Sequence, residues 1–277
     1  MSLKTTGRGV VVALAILCAA SAAAAGTAEI PSPNGTMAAE IFKPAGEGPF
    51  PVVIYSHGRA GSQNERRGLA HPIAAVVASY WTDKGFAVVA PIRPGYGSTG
   101  GPDVEDHGPC DRGPDYNRTA SEAAIAIVAA VAWARAQPWA RADRLLLEGQ
   151  SVGGLATVAA AALHPRGVVG YVNFSGGSGG DPQRSPGQSC RPDLIRSLYA
   201  GFGASTRIPG VWFYAANDEY WGPEAPKAWG RAYNASGGQA TLVFTGPTPN
   251  GKGHSLLASA PQLWTSGLDA FVRTLGF

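Results

Sequence analysis

Arg144-Leu145-Leu146-Leu147-Glu148-Gly149-Gln150-Ser151-Val152-Gly153-Gly154 is the stretch on which the reading of this chain turns. An apolar run of strand length, residues 144–148, stops at a glycine, and an alanine-rich segment of helical composition, residues 153–163, follows at once. A strand that becomes a helix with no loop between them needs residues without bulk on both sides of the turn. Gly149, Gly153 and Gly154 meet that need. Such a turn lifts the Ser151 hydroxyl to the end of the strand. Without its flanks, the same string would describe only a solvated serine in a glycine-rich loop.

Outward from this turn, apolar runs of strand length recur at 51–55, 86–90, 168–174, 211–216 and 240–245, after a hairpin over 29–43. Longer segments at 69–84, 118–136, 224–236 and 261–275 suit helices. Strand and helix alternate, which predicts an α/β fold with a mostly parallel sheet covered by helices on both faces. The two longest loops, 93–117 and 175–192, each follow a strand. Both should therefore emerge at the C-terminal edge of the sheet, where ligands bind in such folds.

With 277 residues, 45% apolar and 15% charged, the chain can bury a large core, and residues 26–277 read as one catalytic domain. The net charge of +3 arises from 22 Lys and Arg against 19 Asp and Glu, without basic runs. No nucleic-acid partner is implied. Lys4 and Arg8 precede an apolar stretch at 10–20 and an Ala23-Ala24-Ala25 site, so residues 1–25 read as a signal peptide. The stretch is shorter than the roughly 20 residues that span a bilayer, and Leu17 stands where a lipoprotein needs a small residue before Cys18. A secreted or periplasmic protein with no stable membrane insertion after cleavage is expected. Cys110 and Cys190 would remain in the mature chain, one in each long loop, and export predicts a disulfide between them.

Serine is a poor nucleophile until a base takes its proton. His254, in Gly251-Lys252-Gly253-His254-Ser255, follows the last strand, whereas His57, His71, His107 and His164 come too early for the order serine, acid, histidine. Asp218, in Ala216-Asn217-Asp218-Glu219-Tyr220, directly follows a strand and is the expected acid. Glu219 beside it is the competing carboxylate, while Asp181 and Asp193 suit capping or solvent roles. The backbone N–H groups of Arg59 and Val152 are the candidate oxyanion donors. His57 is expected to shape its loop, and the Arg59 side chain to be solvated. The acidic loop holding Asp103, Glu105, Asp106, Asp111 and Asp115 matches neither a calcium nor a zinc pattern and reads as solvated, with no metal or other cofactor. Tyr96, Tyr199, Phe202, Tyr220 and Trp221 fall in or near the loops of the site. They hint at an apolar or aromatic acyl group, although core packing accounts for some of them equally well.

Several strings together resemble one family. Pro51-Val52-Val53-Ile54-Tyr55-Ser56-His57-Gly58, Asp83-Lys84-Gly85-Phe86-Ala87-Val88-Val89-Ala90-Pro91, Arg93-Pro94-Gly95-Tyr96-Gly97-Ser98, Gln137-Pro138 and the turn around Ser151 are similar to the dienelactone hydrolase and prolyl-oligopeptidase-like branch of the α/β-hydrolases. The resemblance covers nearly the whole chain after residue 25 and implies Ser151, Asp218 and His254 as a triad. Two departures bear on substrate. Dienelactone hydrolases generally carry a cysteine where Ser151 stands, and the related oligopeptidases carry a large N-terminal propeller that this chain has no room for. An exported serine hydrolase acting on small-molecule carboxylic esters is the leading expectation. A serine peptidase or amidase of the prolyl-oligopeptidase-like type is the alternative, and a binding protein without turnover is the third reading.

Overall fold

A computed structural model describes residues 24–277. Of the residues 1–25 read as a signal peptide, 1–23 lie outside the described residues, while Ala24 and Ala25 belong to the first strand and pair with Lys43 and Phe42. In chain order the strands are β1 (Ala24–Ile30), β2 (Met37–Lys43), β3 (Phe50–Ser56), β4 (Ala87–Pro91), β5 (Ala140–Gln150), β6 (Val168–Phe174), β7 (Gly210–Ala215) and β8 (Ala240–Thr245). The helices are α1 (Gln63–Arg67), α2 (Ala75–Asp83), α3 (Tyr116–Arg135), α4 (Val152–Ala162), α5 (Pro192–Ser205), α6 (Glu224–Ala235), α7 (Leu256–Ser259) and α8 (Thr265–Thr274).

The eight strands form one sheet in the order β1-β2-β4-β3-β5-β6-β7-β8. β1 pairs with β2, and β2 with β4, in antiparallel fashion, and every other pairing is parallel. After β3 the chain steps outward to β4, then returns across to β5 on the other flank of β3. The strand order thus reverses between β3 and β5, and a crevice opens outside their C-terminal ends. Ser56 lies opposite Gly149 in this pairing, which brings the loop after β3 beside the turn after β5.

Burial explains the unbroken apolar strands. Every residue of β4 and β7 is buried, because one layer of side chains covers each face of the sheet. One cluster packs α3, α4, α5 and α6 on the first face through Ile127, Leu155, Tyr199 and Trp229. The second packs α2 and α8 on the other face through Val77, Trp81, Leu268 and Phe271. In α4 all ten residues from Val152 to Ala161 are buried, and its glycines and alanines let it sit close to the sheet and to α3.

Several boundaries depart from the sequence reading. β5 starts at Ala140, not 144, and from Arg141 to Arg144 exposed and half-buried positions alternate, the fully buried run beginning at Leu145. α2 starts at Ala75, six residues after the expected start at 69. The helix α5 falls where no helix was expected. Gly201 and Gly203 lower its propensity, but its buried stripe of Ile195, Tyr199 and Gly203 packs on α6. Gly203 is needed at that contact, since a Cβ there would lie 2.1 Å from the Tyr233 carbonyl oxygen.

Glu148 stands among the apolar side chains of this core. Glu148 is fully buried on β5, and Trp81 Nε1 donates a 2.6 Å hydrogen bond to its Oε2, while Oε1 has no partner. Burial pushes its pKa up to about 8 from an ordinary 4.5, against the pull of the Trp81 bond. The folded protein therefore keeps a proton on Glu148 at neutral pH. Once unfolded, the same group loses it near its ordinary value, so this residue lowers stability progressively as pH rises from about 4.5 to about 8. Glu148→Gln should remove that slope. In urea unfolding, the variant is expected to gain stability relative to the wild type between about pH 5 and about pH 8, and parallel pH dependences would show that Glu148 does not hold the proton.

Candidate active site

Ser151 sits between β5 and α4 with φ 58° and ψ −126°, a left-handed conformation unusual for a residue with a side chain. The turn survives because nothing stands on its flanks. A Cβ at Gly149 would lie 2.2 Å from the Gly153 carbonyl oxygen, and a Cβ at Gly153 would lie 2.0 Å from that of Ser56. Ser151 N–H donates to Phe174 O at 2.9 Å, which anchors the turn on β6. The serine faces a cavity of about 810 Å³ whose walls include Arg59, Val152, Tyr220 and Trp221.

The loops after β7 and β8 bring the other two candidates together. Asp218 is buried, and its Oδ1 accepts the backbone N–H groups of Tyr220 at 2.9 Å and Trp221 at 3.2 Å. Its two oxygens lie 3.2 and 3.1 Å from His254 Nδ1. That contact turns Nε2 away from the carboxylate and leaves it available as a base. Tyr220 stacks on the imidazole at 4.1 Å between ring centroids, and Trp221 meets it edge-on at 5.2 Å. Glu219, the competing carboxylate, does something else: its Oε2 accepts the backbone N–H of His254 at 3.0 Å. From the opposite side Gln150 Nε2 donates to His254 O at 2.8 Å. Gly253 fits only as glycine, because a Cβ there would lie 2.4 Å from the Asp218 nitrogen.

The candidate oxyanion donors belong to the same place. Val152 opens α4, so its N–H has no acceptor within the helix. The loop carrying Arg59 passes directly over the serine, for a Cβ built on Gly58 would touch Ser151 Cβ at 3.3 Å. His57 shapes this loop as a neutral ring: Nδ1 donates to Gly58 O at 2.7 Å, and Nε2 accepts Arg93 N–H at 3.1 Å. Burial first, and the Arg93 charge second, hold its pKa well below the ordinary histidine range.

Two readings of charged side chains need correction. Arg59 is not solvated: its guanidinium makes paired bonds of 2.7 and 2.6 Å to Asp103, which also meets Arg66 at 3.0 Å. Nor is the acidic loop simply a solvated one. Glu105 is fully buried and holds Arg93, equally buried, through bonds of 2.5 and 3.1 Å. Arg93 in turn donates to Ser56 Oγ at 3.0 Å and to His57 O at 2.5 Å, so this pair supports the loop beside Ser151. Asp115 caps α3 by accepting Arg118 N–H at 2.9 Å. Of the aromatic candidates only Tyr220 and Trp221 line the cavity, while Tyr96 bonds Glu105 and Tyr199 and Phe202 join the core. Among the described residues no group of three or more His, Cys, Asp or Glu side chains is arranged to hold a metal ion.

Residues 35–201, more than half of the chain, match the family described as X-Pro dipeptidyl-peptidase (S15 family). The chain belongs to the S15 family. No curated protein matches this S15-family chain. Among solved structures it is similar to a Klebsiella pneumoniae protein proposed to be a dienelactone hydrolase, with 20% identity, 92% of this chain and 98% of that one covered, and a TM-score of 0.57. An esterase from Pyrococcus furiosus matches with 14% identity, 91% of both chains covered and a TM-score of 0.67. A puromycin-hydrolysing peptidase from Mycobacterium tuberculosis matches with 17% identity and a TM-score of 0.60, over 95% of this chain but 41% of its own. At such identities these likenesses establish the α/β-hydrolase fold. Family and fold together make the S15-family chain a hydrolase of the esterase or peptidase type.

The disulfide closes the cavity on its far side. Cys110 and Cys190 are joined, with 6.0 Å between their Cα atoms, and both line the cavity. The bond ties the loop after β4 to the loop after β6, and Tyr116 Oη donates to Cys190 O at 2.7 Å beside it. Closing a loop of 80 residues restricts the unfolded chain by up to about 4.5 kcal/mol in the loop-entropy model. Reduction, or Cys110→Ser with Cys190→Ser, should lower the thermal midpoint by several degrees in a calorimetric scan. An unchanged midpoint would mean that the bond adds nothing to the fold.

Proposed function

We propose that the protein is an exported serine hydrolase that cleaves carboxylic esters through an acyl-enzyme intermediate. The observation that carries this reading is the Asp218–His254 contact of 3.1 Å on the loops beside the turn that presents Ser151. Ser151 Oγ attacks the ester carbonyl carbon while His254 Nε2 takes its proton. Asp218 holds the Nδ1 proton and stabilises the imidazolium. The N–H groups of Val152 and Arg59 receive the negative oxygen of the tetrahedral intermediate, each such donor typically contributing about 3 kcal/mol. His254 then protonates the departing alkoxide, and water activated by the same ring releases the acid. The Cys110–Cys190 bond supports export, since disulfides persist in oxidising compartments. Among the described residues no helix is long and apolar enough to cross a membrane.

Hydrolysis of a peptide bond, in particular after an X-Pro pair, is the second reading, and the family match favours it. The chemistry differs in one step: an amine leaves in place of an alkoxide and depends more on proton delivery from His254. Coverage of nearly the whole length of the two esterase-like structures supports the ester reading.

The deciding experiment is a screen of the purified protein against nitrophenyl esters and peptide anilides, X-Pro anilides included. Ester turnover well above anilide turnover is expected, and the reverse would make the enzyme a peptidase. Ser151→Ala should abolish both turnover and labelling by a fluorophosphonate, and labelling that persists would remove Ser151 as nucleophile. Asp218→Asn should lower kcat by orders of magnitude, up to about 10⁴-fold.

A further inference from the structure

The imidazole of His254 is held through its ring at 3.1 and 3.2 Å, longer than a typical charge-assisted N–H···O bond of about 2.8 Å. Its backbone is held on both sides of the Cα. Glu219 Oε2 takes the His254 N–H at 3.0 Å, and Gln150 Nε2 gives a hydrogen bond to the His254 carbonyl oxygen at 2.8 Å. The two side chains come from different strand ends. Gln150 is the residue before Ser151, and Glu219 is the residue after Asp218.

We propose that Gln150 and Glu219 are a pair of positioning residues that grip the two sides of His254 and fix its ring relative to Ser151. The inference rests on the triad reading above and adds the device that brings its third member into register. His254 lies in a single 3₁₀ turn, Gly253–Ser255, within the loop between β8 and α7, and one such turn by itself is a weak anchor for the ring. Each grip therefore joins that loop to the element carrying another triad member, so a shift of the Ser151 turn or of the Asp218 turn moves the histidine with it.

The surrounding contacts fit this purpose. Asn217 accepts the Gly253 N–H through its backbone oxygen at 3.3 Å, and its side chain bonds Thr248 through both Oδ1 and Nδ2. Asn217, Asp218 and Glu219 therefore contact the loop over 248–254 through three successive residues, of which only Asp218 reaches the ring. The backbone oxygen of Glu219 also accepts Gly187 N–H at 2.6 Å, which ties the same turn to the loop after β6. A carboxylate is the stronger acceptor for a backbone N–H, so glutamate at 219 holds better than a neutral residue, but its charge is not needed by the ring.

The test compares Glu219→Ala, Glu219→Gln and Gln150→Met in steady-state ester hydrolysis, with fluorophosphonate labelling of Ser151 and a thermal melt for each. Misplacing a reacting group by about 1 Å costs about 10²-fold in rate, so Glu219→Ala and Gln150→Met should each lower kcat by about 10- to 100-fold with KM within about twofold. Glu219→Gln, which retains an acceptor, should restore most of kcat. Because both grips act on the backbone of one residue, the double variant Gln150→Met/Glu219→Ala should lose less than the product of the single losses. Gln150→Met fills the same space and carries the test if Glu219→Ala melts below the assay temperature. Unchanged kcat in folded Glu219→Ala and Gln150→Met, or losses in KM alone, would overturn the positioning role. So would Glu219→Gln as damaging as Asp218→Asn, which would make Glu219 the acid itself. Failure of the wild type to label at Ser151 would instead overturn the triad reading, and the two failures are thereby distinguished.

Discussion

Backbone approaches backbone at the turn around Ser151 more closely than any side chain would permit. The carbonyl of Ser56 occupies the space a Cβ on Gly153 would need, and the carbonyl of Gly153 does the same to Gly149. This contact locks the ends of β3 and β5 together and sets the Arg59 loop beside the Ser151 turn, while Asp218 and His254 arrive on the loops after β7 and β8. Ser151 takes a left-handed backbone conformation as a consequence, a local cost that the surrounding sheet and α4 offset. The hydroxyl stands clear of the sheet because the turn leaves it nowhere else to go.

A buried charge pair supports the other half of the same crevice. Arg93 and Glu105 lie at the start and in the middle of the loop after β4, and both are removed from solvent. A lone buried charge would be expensive, but a pair with additional hydrogen bonds can persist. Arg93 spends its remaining donors on Ser56 and His57, which fixes the loop that carries the Arg59 N–H. Asp103 on the same loop draws in Arg59 and Arg66 from outside. The loop after β3 is thus gripped by charge from two sides, and neutral His57 fills the space between. Across the cavity, the Cys110–Cys190 bond joins the loop after β4 to the loop after β6.

Much of this was legible in the chain. Unbroken apolar runs such as Val52-Val53-Ile54-Tyr55 and Val168–Phe174 announced strands covered on both faces, and β6 and β8 have the expected limits. Glycines around Ser151 marked the turn because only a close approach demands them there. Strand ends and order along the chain singled out the Asp218-Glu219 pair and His254 as the candidates for acid and base. The helix α5 escaped notice since its two glycines weaken local propensity while α6 supplies the packing that stabilises it. The acidic loop misled because charge along a sequence looks the same whether it faces water or an arginine folded back from elsewhere.

What the sequence determined by itself is the set of local commitments: alternating strands and helices, a glycine-flanked serine, and an acid and a histidine at later strand ends. Propensity and periodicity act over a few residues, so one chain suffices to read them. Which carboxylate meets the ring was decided only by the tertiary structure. Asp218 and Glu219 are neighbours, yet one reaches the His254 ring and the other its peptide N–H, because the turn after β7 aims successive side chains in different directions. The grip of Gln150 on His254 and the pairing of Arg59 with Asp103 belong to the same class. Each joins residues far apart in sequence, and such contacts exist only once the sheet order has brought their strand ends to one edge.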